Sequence, residues 1–210
     1  MPPDTPDNNS LPSLELLARQ SDWLAAARSR LLRRVQIAHR RTVLDLGCGW
    51  QAVTPELARR SGGTVIAADS APQVFAIPKE DASAIHRVRC DATCLPFRSG
   101  SFDLVFCQFA LLWFGNATSI CEIRRVLRPD GVLVALEPDY GGLIEFPDEI
   151  ATTDLWQIAL RRAGADPQIG RHLPGMLLRL PRRRGAVGPP LRAGIGGGAA
   201  AGAPGRWGGG

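Results

Sequence analysis

The stretch Thr42-Val43-Leu44-Asp45-Leu46-Gly47-Cys48-Gly49 decides how this chain folds. Val43, Leu44 and Leu46 form an apolar run interrupted by one acid, the mark of a parallel strand buried on both faces. The run leads straight into Gly-x-Gly, where glycine allows a positive φ and lets a ligand lie close to the backbone. About twenty residues on, a second apolar run from Thr64 to Ala68 ends in Asp69. A carboxylate at the tip of strand two, beside a glycine turn after strand one, is how an open α/β sheet holds a ribose by its hydroxyls. Together they point to a nucleoside-cofactor site. A lone Gly-x-Gly is equally compatible with an ordinary strand-to-helix turn, so the flanking chain has to decide.

Downstream, Thr54-Pro55-Glu56 opens a short helix that ends before Gly62-Gly63. A third apolar piece, Ile85 to Cys90, leads to Asp91-Ala92. A fourth, Phe102 to Cys107, leads to Gln108, and a fifth, Val132 to Leu136, ends at Glu137. Ser119 and Glu122 have capping-box spacing for a helix whose buried stripe is Ile123, Val126 and Leu127. Arg128-Pro129-Asp130-Gly131 has the proline and glycine placement of a type I turn. A last helix spans about residues 149–163, carries Leu155, Ile158 and Ala159, and stops at Gly164. Strands alternating with helices predict an α/β fold, a Rossmann-like doubly wound sheet of five parallel strands with helices on both faces.

Upstream, residues 1–12 are polar and proline-rich and read as disordered. Residues 13–40 read as cap helices: Leu14, Leu17, Leu24, Leu31, Leu32 and Val35 follow roughly helical spacing, with a break expected near Ser21-Asp22. That segment is either plain cover over the sheet or a lid with Trp23 facing a substrate. The folded domain is expected over residues 41–178. Residues 179–210 form a Gly/Arg-rich tail: the last thirty hold eleven glycines, four prolines and five arginines and no acid. Such a segment cannot bury enough surface to offset its ordering entropy and reads as disordered.

With 210 residues and 45% hydrophobic composition, one domain with a real core is expected. The net charge of +5 does not mark a nucleic-acid binder. Seven arginines follow Asp166, and removing them from +5 leaves −2 for residues 1–166. No apolar stretch approaches the roughly 18 residues of a membrane span, and the N-terminus lacks a secretory pattern, so a cytoplasmic location without a membrane partner is expected. Five scattered cysteines, Cys48, Cys90, Cys94, Cys107 and Cys121, read as reduced structural thiols, and Cys90-x-x-x-Cys94 has no second pair to complete a metal site.

Val43 to Gly49, the acid at Asp69, Asp91-Ala92 followed by Leu95-Pro96-Phe97, Ser101 to Val105, and Arg128 to Gly131 before strand five together resemble the class I S-adenosylmethionine-dependent methyltransferases, closest to the ubiquinone-biosynthesis-like branch, over about residues 40–140. The resemblance implies S-adenosylmethionine as cofactor and a small-molecule methyl acceptor as partner. It implies that Gly47, Cys48 and Gly49 lie against the methionine part, with Asp45 ordering the loop. Asp69 would take the ribose hydroxyls and Ser70 border the adenine, with Asp91 and Ala92 at its amino edge. Gln108 would sit near the sulfonium and the methionyl amino group.

Two departures stand out. Gln51 occupies a place where the family usually has a third glycine, and its side chain could crowd the methionine carboxylate or hydrogen-bond it. The C-terminal β-hairpin that closes the family's sheet is missing, its place taken by the tail, as if the reading frame or chain end had been altered after about Leu178. Substrate contacts are expected from Trp113, Glu137, Asp139 and Tyr140, with Glu137 or Asp139 as general base, though Glu137 to Gly142 is equally a plain turn. His39 and His86 precede strands and read as exposed or structural. The alternatives are a non-catalytic remnant of the same fold and, from the looser fit of Gly47-x-Gly49-x-x-Ala52, an NAD-dependent oxidoreductase.

Overall fold

The computed structural model describes residues 12–76, 84–146, 149 and 152–179. The stretches read as disordered, 1–12 and 179–210, lie outside the described residues apart from Pro12 and Arg179. The chain runs α1 (Leu14–Arg34), β1 (Thr42–Leu46), α2 (Thr54–Ser61), β2 (Thr64–Asp69), β3 (Ile85–Arg89), β4 (Phe102–Gln108), α3 (Leu111–Phe114), α4 (Ala117–Val126), β5 (Leu127–Leu136), α5 (Thr153–Arg162) and α6 (Ile169–Leu178). The five strands are all parallel, in the order β3-β2-β1-β4-β5. The doubly wound fold is as expected, and among the described residues no strand follows β5.

The inner strands are largely apolar because both faces of the sheet are covered. Successive residues alternate between two cores. Val43, Val65, Leu104, Phe106, Val132 and Val134 pack with Leu32 of α1 and Leu57 of α2. Leu44, Leu46, Val105, Cys107, Leu133 and Ala135 pack with Ile120 and Ile123 of α4 and Ile169 and Leu173 of α6. The order reverses between β1 and β4, and at such a switch point an open sheet offers a crevice at the carboxyl ends of its strands.

Helix α1 starts where Ser13 caps it, its side chain accepting from the Leu16 amide at 3.2 Å, and ends over Arg33 and Arg34, which suit the negative helix end. The helix runs unbroken through Ser21-Asp22, where the sequence suggested a break. Ser21 is buried, and its carbonyl accepts from Arg28 at 2.9 Å. For α4 the cap is Asn116 rather than Ser119. Asn116 Oδ1 accepts from the Ser119 amide, and Ser119 Oγ accepts from the Asn116 amide. Glu122 instead accepts from the Leu95 amide at 2.8 Å and pairs with Arg125. Arg128 to Gly131 lie between the pairings Phe102–Leu127 and Leu104–Val132, so the expected turn is a bulge within the edge strand β5.

Helix α5 is shorter than the sequence suggested, and it buries none of its residues. Helix α6 had no sequence signal because Gly170, Pro174 and Gly175 break its pattern, yet Ile169 and Leu173 anchor it in the core.

Asp103 explains the Ser101-Phe102-Asp103 motif. Only 7% exposed, its carboxylate accepts from the amides of Arg41 (2.8 Å) and Thr42 (3.2 Å), fixing the entry of β1 beside β4. Asp103→Ala leaves both amides unpaired and should lower stability by about 3 kcal/mol. A denaturant midpoint within error of wild type would show that the tie carries no stability.

Candidate functional site

The glycine turn follows β1 directly. Gly47 (φ +74) and Gly49 (φ +48) adopt the left-handed backbone that glycine permits. The amides of Gly47 and Cys48 donate to the Ala68 carbonyl on β2, at 2.8 and 3.1 Å. The Gly49 amide donates to Asp69 Oδ2 and the Ala71 amide to Asp69 Oδ1, both at 2.9 Å. The two sequence signals, twenty residues apart, are thus joined by a hydrogen bond. A side chain on Gly47 would collide with Ala110 and Phe114, so the segment after β4 closes over the turn.

Asp45 lies within β1, 3% exposed, and accepts from Thr54 Oγ1 at 2.6 Å. Burial pushes its carboxyl up to about 7, with the Thr54 hydrogen bond and the Arg28 charge opposing and the Asp69 charge reinforcing. Gln108 ends β4 and is followed by Phe109 at φ +49, a left-handed bulky residue at the strand tip. Gln108 Oε1 accepts from Arg28 Nη1 at 3.1 Å. Arg28 was missed in the sequence, where it reads as one of several arginines between apolar positions. In the structure it is 4% exposed, beneath α1, and also donates to Glu56 Oε2 at 2.8 Å.

The residues expected on the adenine side lie after β2 and β3. Ser70 is exposed, and its carbonyl accepts from Arg89 Nε at 3.1 Å. Asp91 is exposed and folds into a local turn, accepting from the amide and hydroxyl of Thr93 at 2.7 and 2.8 Å, which holds its carboxyl below the usual range; Ala92 is buried. Gln51, at the family's third-glycine place, has φ +59, the conformation a glycine would take. Its side chain reaches β3, where Oε1 accepts from Arg87 Nε at 3.0 Å.

Among the acceptor-side candidates, Glu137 caps α3. Its carboxylate accepts from the amides of Ala110 (3.1 Å), Leu111 (3.0 Å) and Leu112 (3.3 Å), and burial pushes it up to about 7 against those bonds. Asp139 is exposed and takes Arg171 Nε on both oxygens at 2.9 Å. Tyr140 is half-buried, and burial, then the Glu137 charge, raises its hydroxyl. Trp113 is 49% exposed on α3. His86 is exposed on β3, and His39 lies in the turn before β1. Among the described residues no cluster of His, Cys, Asp and Glu could hold a metal ion, and no helix is long and apolar enough to cross a membrane.

The model of a family described as a methyltransferase domain matches residues 44–135. Over 112 residues the chain is 38% identical to a malonyl-(acyl-carrier protein) O-methyltransferase of Halorhodospira halophila, covering 50% of this chain and 38% of that protein. Over 101 residues it is 37% identical to a demethylmenaquinone methyltransferase of Thermus thermophilus, covering 45% and 46%. The chain therefore spans less than half the length of these curated relatives. A solved Bacillus halodurans structure, described as a candidate methyltransferase, shares the fold with a TM-score of 0.58 at 20% identity, covering 71% of this chain and 66% of that one.

Buried Glu137 makes stability pH-dependent with a defined sign. Its folded carboxyl sits at about 7 and its ordinary value is 4.5, so the folded chain keeps a proton that the unfolded chain has released. Stability is present at low pH and falls as pH rises through that window, by up to about 1.4 kcal/mol per pH unit from this group. Glu137→Gln keeps an acceptor oxygen for the α3 amides and does not titrate. Urea unfolding between about pH 5 and 7 should show that slope flattened by about 1.4 kcal/mol per unit in the variant; an unchanged slope would count against a buried Glu137 proton.

Proposed function

We propose that this chain, whose residues 44–135 match the methyltransferase-domain family, is a class I S-adenosylmethionine-dependent methyltransferase that binds its cofactor at the carboxyl ends of β1, β2 and β4 and transfers the methyl group to a small-molecule acceptor. The observation that carries this is the convergence at the switch point. There the β1 turn is tied to Asp69, with Asp45 behind it and Gln108 at the tip of the neighbouring strand. The donor set fits a cationic nucleoside: carboxylates for a ribose and an ammonium, and a left-handed turn whose backbone a ligand can approach.

When bound, S-adenosylmethionine supplies a methyl group already activated on a positively charged sulfur. The protein's part is then chiefly placement, which can be worth about 7–11 kcal/mol of barrier. Asp69 takes the ribose hydroxyls with the acceptor sites left after its two amides. Ser70, Asp91 and Ala92 flank the adenine; Gly47, Cys48 and Gly49 receive the methionine chain. Asp45 and Gln108 orient the amino group. Trp113, Glu137, Asp139 and Tyr140 face the acceptor from the ends of β4 and β5. For an oxygen or nitrogen nucleophile, Glu137 would have to exchange an α3 amide, and Asp139 its arginine, to take the proton.

Titrating thermal unfolding with S-adenosylmethionine, with NADH as control, tests the assignment. At a hundred times its dissociation constant the cofactor should add about 2.7 kcal/mol and raise the midpoint by several degrees. A shift with NADH alone would move the chain to the oxidoreductases, and a cooperative transition that neither compound shifts would point to a non-catalytic remnant. Asp69→Ala should weaken S-adenosylhomocysteine at least about tenfold by calorimetry, since bonds to a charged acceptor are worth about 1.5–3 kcal/mol each. Undiminished binding would remove Asp69 from the site.

A further inference from the structure

Among the buried polar side chains described, Arg28 is the one cation. It comes from α1, outside the stretch that matches the family, and reaches the cofactor edge of the sheet. Three elements meet at its guanidinium: Nε donates to Glu56 in the first turn of α2 (2.8 Å), and Nη1 to the Ser21 carbonyl (2.9 Å) and to Gln108 Oε1 at the tip of β4 (3.1 Å). Among the described residues no hydrogen bond engages Nη2, although a guanidinium offers five donors. Glu56 is shared with Arg60, at 2.7 Å, and Arg28 stands near enough to buried Asp45 for its charge to favour the ionised carboxylate.

We infer that Arg28 is a positioning residue for the cofactor, receiving the carboxylate of its amino-acid end, so that α1 is part of the cofactor site and not merely cover. This rests on the methyltransferase assignment above. The amino-acid end is a zwitterion and needs opposite partners a few ångströms apart. Asp45 and Gln108 suit the ammonium, and the guanidinium bonded to Gln108 suits the carboxylate, for which arginine offers two parallel N–H donors. Taking the carboxylate would release Gln108 Oε1 from Arg28 and free it to accept from the ammonium.

A matched pair of ligands tests this. S-adenosylmethionine and its decarboxylated form share nucleoside, sulfonium and amine and differ only in the carboxylate. By calorimetry the wild-type chain should prefer S-adenosylmethionine by about thirtyfold or more. Arg28→Met should erase that preference while changing the affinity for the decarboxylated form less than about threefold. If that variant does not fold, Arg28→Lys is measured in its place and should reduce the preference. Glu56→Gln loosens the clamp but leaves the cation, and should keep the preference. Equal loss of both ligands in the Arg28 variant, or loss of the preference in Glu56→Gln, would make Arg28 only a clamp and overturn the inference. Equal binding of both ligands by wild type overturns it too, with the cofactor assignment intact. Binding of neither overturns that assignment as well.

Discussion

The carboxylate of Asp69 is the tie on which the site depends. Its two oxygens hold amides from two different turns, Gly49 after β1 and Ala71 after β2. A glycine turn has no side chains to anchor it, and its conformational freedom makes it costly to order. Here the order comes from the neighbouring strand: Ala68 supplies a carbonyl to Gly47 and Cys48, and Asp69 supplies the next acceptor. That makes the acid at the end of β2 structural before any ligand arrives. An ionised carboxylate has about four acceptor sites, so Asp69 can hold the turn and still meet a ribose.

Covering both faces of the sheet forces its polar chemistry to the strand ends. Asp45 is an exception in the middle of a buried strand, and its shift toward about 7 reflects its burial. Thr54, the first residue of α2, keeps it hydrogen-bonded, and Arg28 supplies opposing charge. A cationic ligand arriving beside Asp45 would favour its ionised form, opposing the desolvation that now disfavours it. Glu137, also raised to about 7, is differently placed, since its partners are three amides at the start of a four-residue helix. Two carboxyls with similar titration thus serve different ends, one facing the proposed cofactor and one fastening the segment that closes over Gly47.

Most of the sheet was legible because its inner strands are largely apolar and four of the five strands stop at or just before a polar residue. Asp69, Asp91, Gln108 and Glu137 all fall where the strand pattern stops. What escaped detection was long-range or off-pattern. Arg28 sits 80 residues from Gln108 in the chain, and no local rule separates it from the exposed arginines of α1. Ser119 and Glu122 matched a capping box by spacing, but Asn116 three residues earlier competes for the same helix start, and Glu122 is drawn off by Arg125 and the Leu95 amide. Helix α6 carries two glycines and a proline and is held by tertiary burial of Ile169 and Leu173, which propensity does not report.

Gln51 shows how a departure in sequence need not be a departure in backbone. The turn requires a left-handed residue there, and the chain adopts φ +59 without a glycine to ease it. Such a conformation costs a non-glycine residue on the order of 1 kcal/mol, and the buried Nε2 finds no partner among the described residues. Against these costs stand the Arg87 hydrogen bond to Oε1 and the burial of a side chain only 2% exposed. Because Arg87 donates to Oε1, the amide's orientation is set, with Nε2 as the donor left over. The substitution thus keeps the path of the turn and ties its last residue to β3, with two strands between it and β4. With Gln51 turned toward β3, the carboxylate of the proposed cofactor falls, on the inference above, to Arg28 beside Gln108.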